Sequence, residues 1–147
     1  MKVFIKTYGC QMNERDSEMI AALLQRGGHE IVSRESQADI IIVYTHWGTE
    51  YKTESAENIK NLGRRFIDSG ADMVIGTHPH VTQPMEEYKG KRIYYSLGNF
   101  IFDQYFSPET KKGLAAEVRI DTQTKNMNFR DIGLILDNNG QTRLDSL

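Results

Sequence analysis

Two patterns of apolar residues alternate along the first two thirds of the chain. Short runs rich in Ile, Val, Phe and Tyr are typical of strands, and the run at residues 40–43 is typical of a strand that is buried on both faces. Between these runs lie longer segments in which apolar residues recur every three or four positions, as they do on one face of a helix. The predicted strands span residues 2–8, 30–33, 39–45, 71–76 and 92–97.

The segments with helical periodicity predict one helix after the first strand and one after the third. The apolar stripe of the first helix consists of Met19, Ile20, Leu23 and Leu24. We expect Asn13 to be its N-cap, because a side-chain amide oxygen can accept a hydrogen bond from the first turn, and Gly27 to end it. The second helix is predicted over residues 55–68 and ends before Gly70.

The last third of the chain has a different pattern. Residues 114–120 alternate between apolar and polar, residues 126–136 are mixed, and Asn138-Asn139-Gly140 is a strong turn signal. The element order therefore predicts an α/β fold with a largely parallel central sheet flanked by helices and a C-terminal extension of antiparallel strands. We expect residues 1–147 to form a single domain, with the polar segment 107–113 as the best linker candidate.

Composition and charge restrict the classes of function. The 147 residues carry 18 Lys and Arg against 20 Asp and Glu, and this near-neutral balance predicts no nucleic-acid partner. The longest apolar run is too short to cross a bilayer and the N-terminus lacks the apolar core of a secretory signal, so we expect no membrane partner and a cytoplasmic location. Cys10 is the single cysteine, which excludes a four-cysteine zinc site.

Reactive or polar side chains follow four of the predicted strands. Cys10 follows the first strand, His46 the third, His78 and His80 the fourth, and Asn99 the fifth. In open α/β sheets, ligands bind beyond the carboxyl ends of the strands. If these strands are parallel neighbours, three histidines and the cysteine meet at one edge of the sheet, and imidazole and thiolate are the usual ligands of zinc.

The pair His78-x-His80 is a candidate chelating unit. Residues i and i+2 of an extended segment point the same way, and Pro79 between them stiffens the spacing. With His46 the pair predicts a three-histidine metal site, and Cys10 as a fourth ligand would complete a tetrahedral zinc site. The alternatives are histidines that only hydrogen-bond loop carbonyls, and a Cys10 that is either a packed residue under a turn or a reactive thiol at a helix N-terminus.

Oxygen-bearing side chains close to these positions in the sequence could take part in the chemistry. Glu50, Asn99 and Asp103 are candidate oxygen ligands or proton shuttles, and Asn99 or Asp103 could position a substrate. Each of them is also explained as a solvated loop residue. The sequence alone leaves these alternatives open.

The segment T-Y-G-C-Q-M-N at residues 7–13 is followed by D-S-E at 16–18 and A-D-I-I-I-V at 38–43. Through these motifs, residues 1–43 resemble the N-terminal domain of the radical-SAM tRNA methylthiotransferases. In that family three cysteines of this domain hold an iron–sulfur cluster, and Cys10 matches the first. Because His46 stands where the family has its second cysteine, we expect no iron–sulfur cluster.

Further along, the chain reads H-W-G-T-E-Y at residues 46–51, G-T-H-P-H at 76–80 and Y-S-L-G-N-F at 95–100. From about residue 39 onward it resembles the C-terminal part of capsule and poly-γ-glutamate synthesis proteins of the calcineurin-like metallophosphoesterase superfamily. This resemblance implies that His46, His78 and His80 are metal ligands. The motifs that supply the remaining ligands precede this part in that family, and the methylthiotransferase-like segment takes their place here.

The two resemblances together indicate a chimera-like chain, with a methylthiotransferase-like half at residues 1–43 and a metallophosphoesterase-like half at 44–147. We expect an α/β module with an incomplete histidine metal site, one divalent metal ion (zinc or manganese) and little or no catalysis. The alternative is a metal-dependent phosphoesterase-like hydrolase that uses His46, His78 and His80 on a phosphorylated small molecule. A second alternative is a methylthiotransferase-like accessory domain, and exposed tail strands would allow a homo-oligomer.

Overall fold

A six-stranded sheet lies at the centre of the computed structural model, which describes residues 1–145. Its strands are β1 (Lys2–Tyr8), β2 (Glu30–Ile31), β3 (Ile40–His46), β4 (Met73–Thr77), β5 (Met85–Tyr88) and β6 (Lys91–Tyr94). Their order in the sheet is β2-β1-β3-β4-β6-β5, and every neighbouring pair is parallel except β5 with β6. The prediction of a largely parallel central sheet is therefore confirmed.

The two helices lie on opposite faces of this sheet. Helix α1 (Gln11–Arg26) links β1 to β2, and helix α2 (Glu57–Asp68) links β3 to β4 in the other direction across the sheet. Because such crossovers are right-handed, reversing the direction moves the second helix to the other face. The reversal falls between β1 and β3, which makes their carboxyl ends the place where this class of sheet binds ligands. Among the described residues, no helix has the length and apolar character needed to cross a membrane.

Each face of the sheet has its own core. On the face covered by α2, Val74 and Ile93 are fully buried and pack with Trp47 and Ile67. The opposite face is covered by α1 and by a separate antiparallel sheet of β7 (Lys112–Ile120), β8 (Met127–Leu136) and β9 (Thr142–Leu144). The predicted C-terminal antiparallel extension is thus confirmed, and it packs against a face of the central sheet.

Helix α1 differs from its prediction in its start and in its buried face. Cys10 is the N-cap and the helix begins at Gln11, so Asn13 lies inside the first turn and the N-cap prediction was wrong. The residues that face the sheet are spaced i, i+4, i+7 and i+11. They are Asn13, Ser17, Ile20 and Leu24. Met19 and Leu23 of the predicted stripe lie outside this set and are 62% and 59% exposed.

The predicted linker at residues 107–113 is instead an ordered turn that leads into β7. Thr110 is fully buried, and its hydroxyl donates a hydrogen bond of 3.0 Å to the Ser107 carbonyl. Gly113 then forms a bridge with Gly98. This segment joins the second sheet to the site edge of the first one.

Glu86 of β5 connects helix α2 to the end of β6. Its carboxylate accepts hydrogen bonds from Arg64 Nε at 2.7 Å and from the Tyr95 hydroxyl at 2.5 Å. The hydrogen bond from Arg64 lowers the pKa of Glu86 below its ordinary value, with burial opposing and Tyr95 assisting. Since the pKa is lower in the folded state, the stabilisation is present above about pH 4.3 and is lost as the pH falls through the folded-state value.

We therefore expect Glu86→Gln to reduce the free energy of unfolding at pH 7 by about 1 kcal/mol and to flatten its decline in acid. Urea unfolding at pH 7 and at about pH 3 measures both effects. Glu87→Gln is the matched control, because Glu87 is the next residue of β5 and its own side chain is exposed. An equal loss for the two variants, with the same pH dependence as the parent, would contradict this assignment.

Candidate metal centre

The carboxyl ends of β1, β3, β4 and β6 lie side by side at one edge of the sheet. This arrangement confirms the expectation that the strands carrying the candidate residues are parallel neighbours. The rings of His46 and His78 have centroids 4.3 Å apart, and those of His78 and His80 are 6.1 Å apart. Three histidines from two adjacent strand ends therefore form one cluster.

A carboxylate joins this cluster from the loop after β3. Glu50, His78 and His80 each offer one ligand atom, and these atoms all lie within 4.8 Å of one another. The backbone N–H of Tyr51 donates a 2.8 Å hydrogen bond to the Pro79 carbonyl, which holds the Glu50 loop against the histidine turn. Two imidazoles and a carboxylate are a donor set that zinc and manganese both accept, so the residues fit a divalent metal ion.

The turn that carries His78 and His80 is not the extended segment that the sequence suggested. His78 has φ = 97° and His80 has φ = 59°, and both values lie in the left-handed region that non-glycine residues rarely adopt. Such conformations cost of order 1–3 kcal/mol each and persist only where surrounding contacts enforce them. Strained residues of this kind are concentrated at functional sites, which agrees with a ligand-binding role for this turn.

Two asparagine side chains orient two of the histidines. Nδ1 of His46 lies 2.8 Å from Oδ1 of Asn13, and Nδ1 of His80 lies 3.0 Å from Oδ1 of Asn99. An amide oxygen only accepts hydrogen bonds, so in both rings Nδ1 carries a proton, and in the neutral form of each ring Nε2 keeps its lone pair. Metal-binding histidines typically have their second ring nitrogen held by an outer partner in this way.

Burial around His46 favours the neutral imidazole that a metal requires. The pKa of His46 is lowered first by burial and then by the positive charges that His78 and His80 can carry, while Glu50 opposes the shift. A neutral ring with a free Nε2 is the form that binds a cation.

The other predicted site residues lie at different distances from the cluster. Asn99 is buried, and its amide nitrogen donates to the Thr110 carbonyl at 3.0 Å, so both of its polar groups are engaged within the protein. Cys10 is exposed, with Sγ 3.9 Å from Nδ1 of His46. Asp103 lies exposed in the loop after Asn99. Metal binding by Cys10 and substrate contacts by Asn99 and Asp103 remain predictions.

Exposed aromatic rings surround the open side of the cluster. Tyr51 is 42% exposed, and its ring lies 6.0 Å from that of His80 and 5.0 Å from that of Phe106. The Phe102 ring lies 4.8 Å from that of His80. A ligand bound at the histidines would therefore meet apolar ring surface as well as charged groups.

Two residues that position the site were not predicted in that role. Asn13 was interpreted as a helix cap, and Thr77, at the end of β4, was not singled out. The sequence did contain one signal for Asn13. Asn13 closely follows β1, and β1 is one of the two strands between which the order of the sheet reverses. Its contact with His46 depends on the start of α1 at Gln11, which the apolar pattern did not indicate.

The doubly wound α/β sheet places the histidine cluster at its strand ends, where proteins of this class bind ligands. A family model described as "Bacterial capsule synthesis protein PGA_cap" matches residues 5–104. The chain therefore belongs to this family of bacterial capsule synthesis proteins. The match begins within β1 and ends in the loop that contains Asp103, so it includes all five candidate residues that the sequence places at or after the strand ends.

Individual relatives match different parts of the chain. It is 47% identical over 74 residues to the PGA biosynthesis protein CapA of Bacillus subtilis, a match over 50% of this chain and 20% of that protein. The capsule biosynthesis protein CapA of Bacillus anthracis is 45% identical over 71 residues, covering 48% of this chain and 17% of its own. The tRNA-2-methylthio-N(6)-dimethylallyladenosine synthase of Opitutus terrae is 57% identical over 44 residues, covering 30% of this chain and 9% of its own. The chain thus spans a fifth or less of these relatives.

Proposed function

We propose that this chain is a metal-binding module of the capsule synthesis family that holds one divalent cation through Glu50, His78 and His80, with His46 beside them. The observation that supports this proposal is the grouping of one ligand atom from each of the first three residues within 4.8 Å. The fixed Nδ1 protons of His46 and His80 also support it, because they leave Nε2 of each ring free. Zinc and manganese are the candidate ions.

The same donor set favours binding with little or no catalysis. A bound divalent cation would polarise a phosphoryl oxygen of a phosphorylated small molecule. Two-metal phosphoesterase chemistry needs ions about 3.5–4 Å apart, which a shared carboxylate would have to bridge. Within residues 1–145, the group of ligand atoms described above contains one carboxylate, from Glu50, and it is exposed. This module would bind a phosphorylated ligand against the exposed rings of Tyr51 and Phe102.

A metal-dependent phosphoesterase-like hydrolase is the second candidate. The lowered pKa of His46 favours it, because a ring 4.3 Å from that of His78 that readily loses its charge could accept a proton during turnover. In this reading His46, His78 and His80 hold the metal ion at the phosphoester, and Asn99 or Asp103 positions the substrate. A methylthiotransferase-like accessory role has weaker support, since its characteristic motif contributes Cys10 alone of the expected cysteines.

The setting of this module is part of the same proposal. Its family and its CapA-like relatives suggest a role in capsule or poly-γ-glutamate synthesis. We propose a cytoplasmic module without nucleic-acid or membrane partners, in which residues 1–43 and 44–147 form one domain through the pairing of β1 with β3. Self-association through exposed strands of the second sheet remains a prediction.

Metal-dependent stabilisation tests the proposal directly. A cation that binds only the native state stabilises it by about 2.7 kcal/mol at a free concentration 100 times Kd, which would raise Tm by roughly 5–11 °C. We expect this shift with Zn²⁺ or Mn²⁺ in thermal unfolding of the full chain, together with stoichiometric metal by elemental analysis. An unchanged Tm with both ions, and no retained metal, would remove the metal centre.

Hydrolysis of p-nitrophenyl phosphate with and without Mn²⁺ separates the two candidates. We expect the rate to equal that of the His78→Ala variant, and a metal-dependent rate that His78→Ala abolishes would establish the hydrolase instead.

The Cys10→Ser variant, titrated with the same metal ions, tests the four-ligand zinc arrangement. A loss of affinity would place Sγ among the ligands, whereas unchanged affinity would restrict the site to histidine and carboxylate donors.

A further inference from the structure

We infer that Asn13, which comes from the methylthiotransferase-like segment, is a positioning residue that fixes the Nδ1–H tautomer of His46 and directs its Nε2 into the metal centre. The inference rests on the proposed metal-binding function and takes His46, whose ring lies 4.3 Å from that of His78, as a further ligand of the same ion. It assigns to the N-terminal segment a part in the centre that requires neither a cysteine ligand nor an iron–sulfur cluster.

The orientation of the Asn13 amide follows from the hydrogen bonds around it. The Thr77 hydroxyl donates its single proton to the Thr45 carbonyl at 3.0 Å. The Thr77 oxygen can therefore only accept from Asn13 Nδ2, which lies 3.0 Å away. This leaves Asn13 Oδ1 facing His46 Nδ1 at 2.8 Å, and an oxygen acceptor at that distance requires the proton on Nδ1.

The surroundings of Asn13 make this contact rigid. Asn13 is 2% exposed, so water cannot readily replace its hydrogen bonds to Thr77 and His46. Its backbone N–H is bonded to the Cys10 carbonyl at 3.0 Å in the first turn of α1. The relay from Thr45 through Thr77 to Asn13 begins and ends on β3, because His46 directly follows Thr45. A side chain held at both ends in this way restricts rotation of the imidazole.

The same relay explains why two polar residues occupy the inward face of α1. Ser17, one turn after Asn13, accepts a hydrogen bond of 2.7 Å from the Thr7 hydroxyl of β1. Ser17 thus joins α1 to β1, whereas Asn13 joins α1 to the residues of β3 and β4 that form the centre. This difference supplies a matched control on the same helix face.

Three variants of the full-length chain test the inference: Asn13→Leu removes the acceptor, Asn13→Asp keeps an acceptor, and Ser17→Ala is the control. In the metal-free protein, ¹⁵N–¹H correlation spectra of the imidazoles report which nitrogen carries the proton. We expect Nδ1–H for His46 in the parent chain, in Asn13→Asp and in Ser17→Ala. We expect a shift toward Nε2–H in Asn13→Leu. Outer partners of metal-binding histidines typically contribute 10–100-fold to affinity, so Zn²⁺ or Mn²⁺ should bind about 10–100-fold more weakly to Asn13→Leu and recover in Asn13→Asp.

The tautomer readout does not depend on metal binding, so it separates this inference from the proposed function. Nε2–H in the parent chain, or Nδ1–H retained in a folded Asn13→Leu, would overturn the inference even if the metal binds. If Asn13→Leu does not fold, the inference is decided by the tautomer of His46 in the parent chain and by the metal affinity of Asn13→Asp. A loss of affinity in Asn13→Asp as large as that expected for the leucine variant, with Ser17→Ala unaffected, would also overturn it.

Discussion

Replacing Gly76 with alanine is expected to destabilise the fold by about 3 kcal/mol or more, which would lower Tm by roughly 6–12 °C. Gly76 lies on β4 opposite Thr45 of β3, immediately before the residues of the metal centre. A Cβ atom at this position would lie 2.2 Å from Nε1 of Trp47 and 2.2 Å from the Tyr95 carbonyl oxygen. Real Cβ atoms do not approach other heavy atoms this closely, so the indole or the backbone must move.

The displacement would also break a buried hydrogen bond. Nε1 of Trp47 donates to the Tyr95 carbonyl at 2.8 Å, and the added methyl group would contact both partners. Loss of this bond leaves a buried donor unpaired, which adds to the cost of overpacking. Since Trp47 follows His46 directly, we expect metal affinity to fall together with stability.

Gly28→Ala is the control for the intrinsic effect of adding a methyl group. Gly28 has φ = 84° and no heavy atom within 4 Å of the added Cβ, so only the backbone strain of about 1–2 kcal/mol applies. Thermal and urea unfolding of both variants measure the difference. If Gly76→Ala were no less stable than Gly28→Ala, the close packing of Trp47 on β4 would not be the cause of the stability lost in Gly76→Ala.

The strands that carry the site were predictable because their sequences are almost wholly apolar. The Ile-rich run of β3 and the apolar residues of β4 can only lie in the middle of a sheet, and parallel neighbours bring their carboxyl ends together. Strand β5 was missed because its sequence is M-E-E-Y, and a short strand at the sheet edge needs no apolar run.

The details of the centre were less predictable because they depend on backbone conformation and on polar packing. The positive φ angles of His78 and His80 have no signal in a sequence that contains proline and no glycine between them. Half of the inward face of helix α1 was missed because Asn13 and Ser17 are polar, and a search for apolar periodicity cannot find buried polar positions. Glu50 was recognised as one of several candidate oxygen ligands, and only the loop geometry places it beside the histidines.

Removal of His78 is expected to have the largest effect on metal binding. His78 lies between the other rings, 4.3 Å from that of His46 and 6.1 Å from that of His80, and it belongs to the group of three ligand residues. We expect His78→Ala to weaken Zn²⁺ or Mn²⁺ binding by more than about 100-fold, above the 10–100-fold typical of an outer partner such as Asn13. Isothermal titration of the parent and variant chains measures the ratio.

The fourth histidine provides the control, because His29 lies in the link before β2 and therefore near the opposite end of the parallel strands. His29→Ala should keep the affinity of the parent chain, although it removes a ring of the same kind. In the absence of metal, His78→Ala should change the free energy of unfolding little, because His78 belongs to neither core cluster and alanine keeps the backbone strain at φ = 97°. Equal losses of affinity for the two variants would show that the measured binding is adventitious and not at the strand ends. A loss confined to His78→Ala would assign it to the edge where β3 and β4 end.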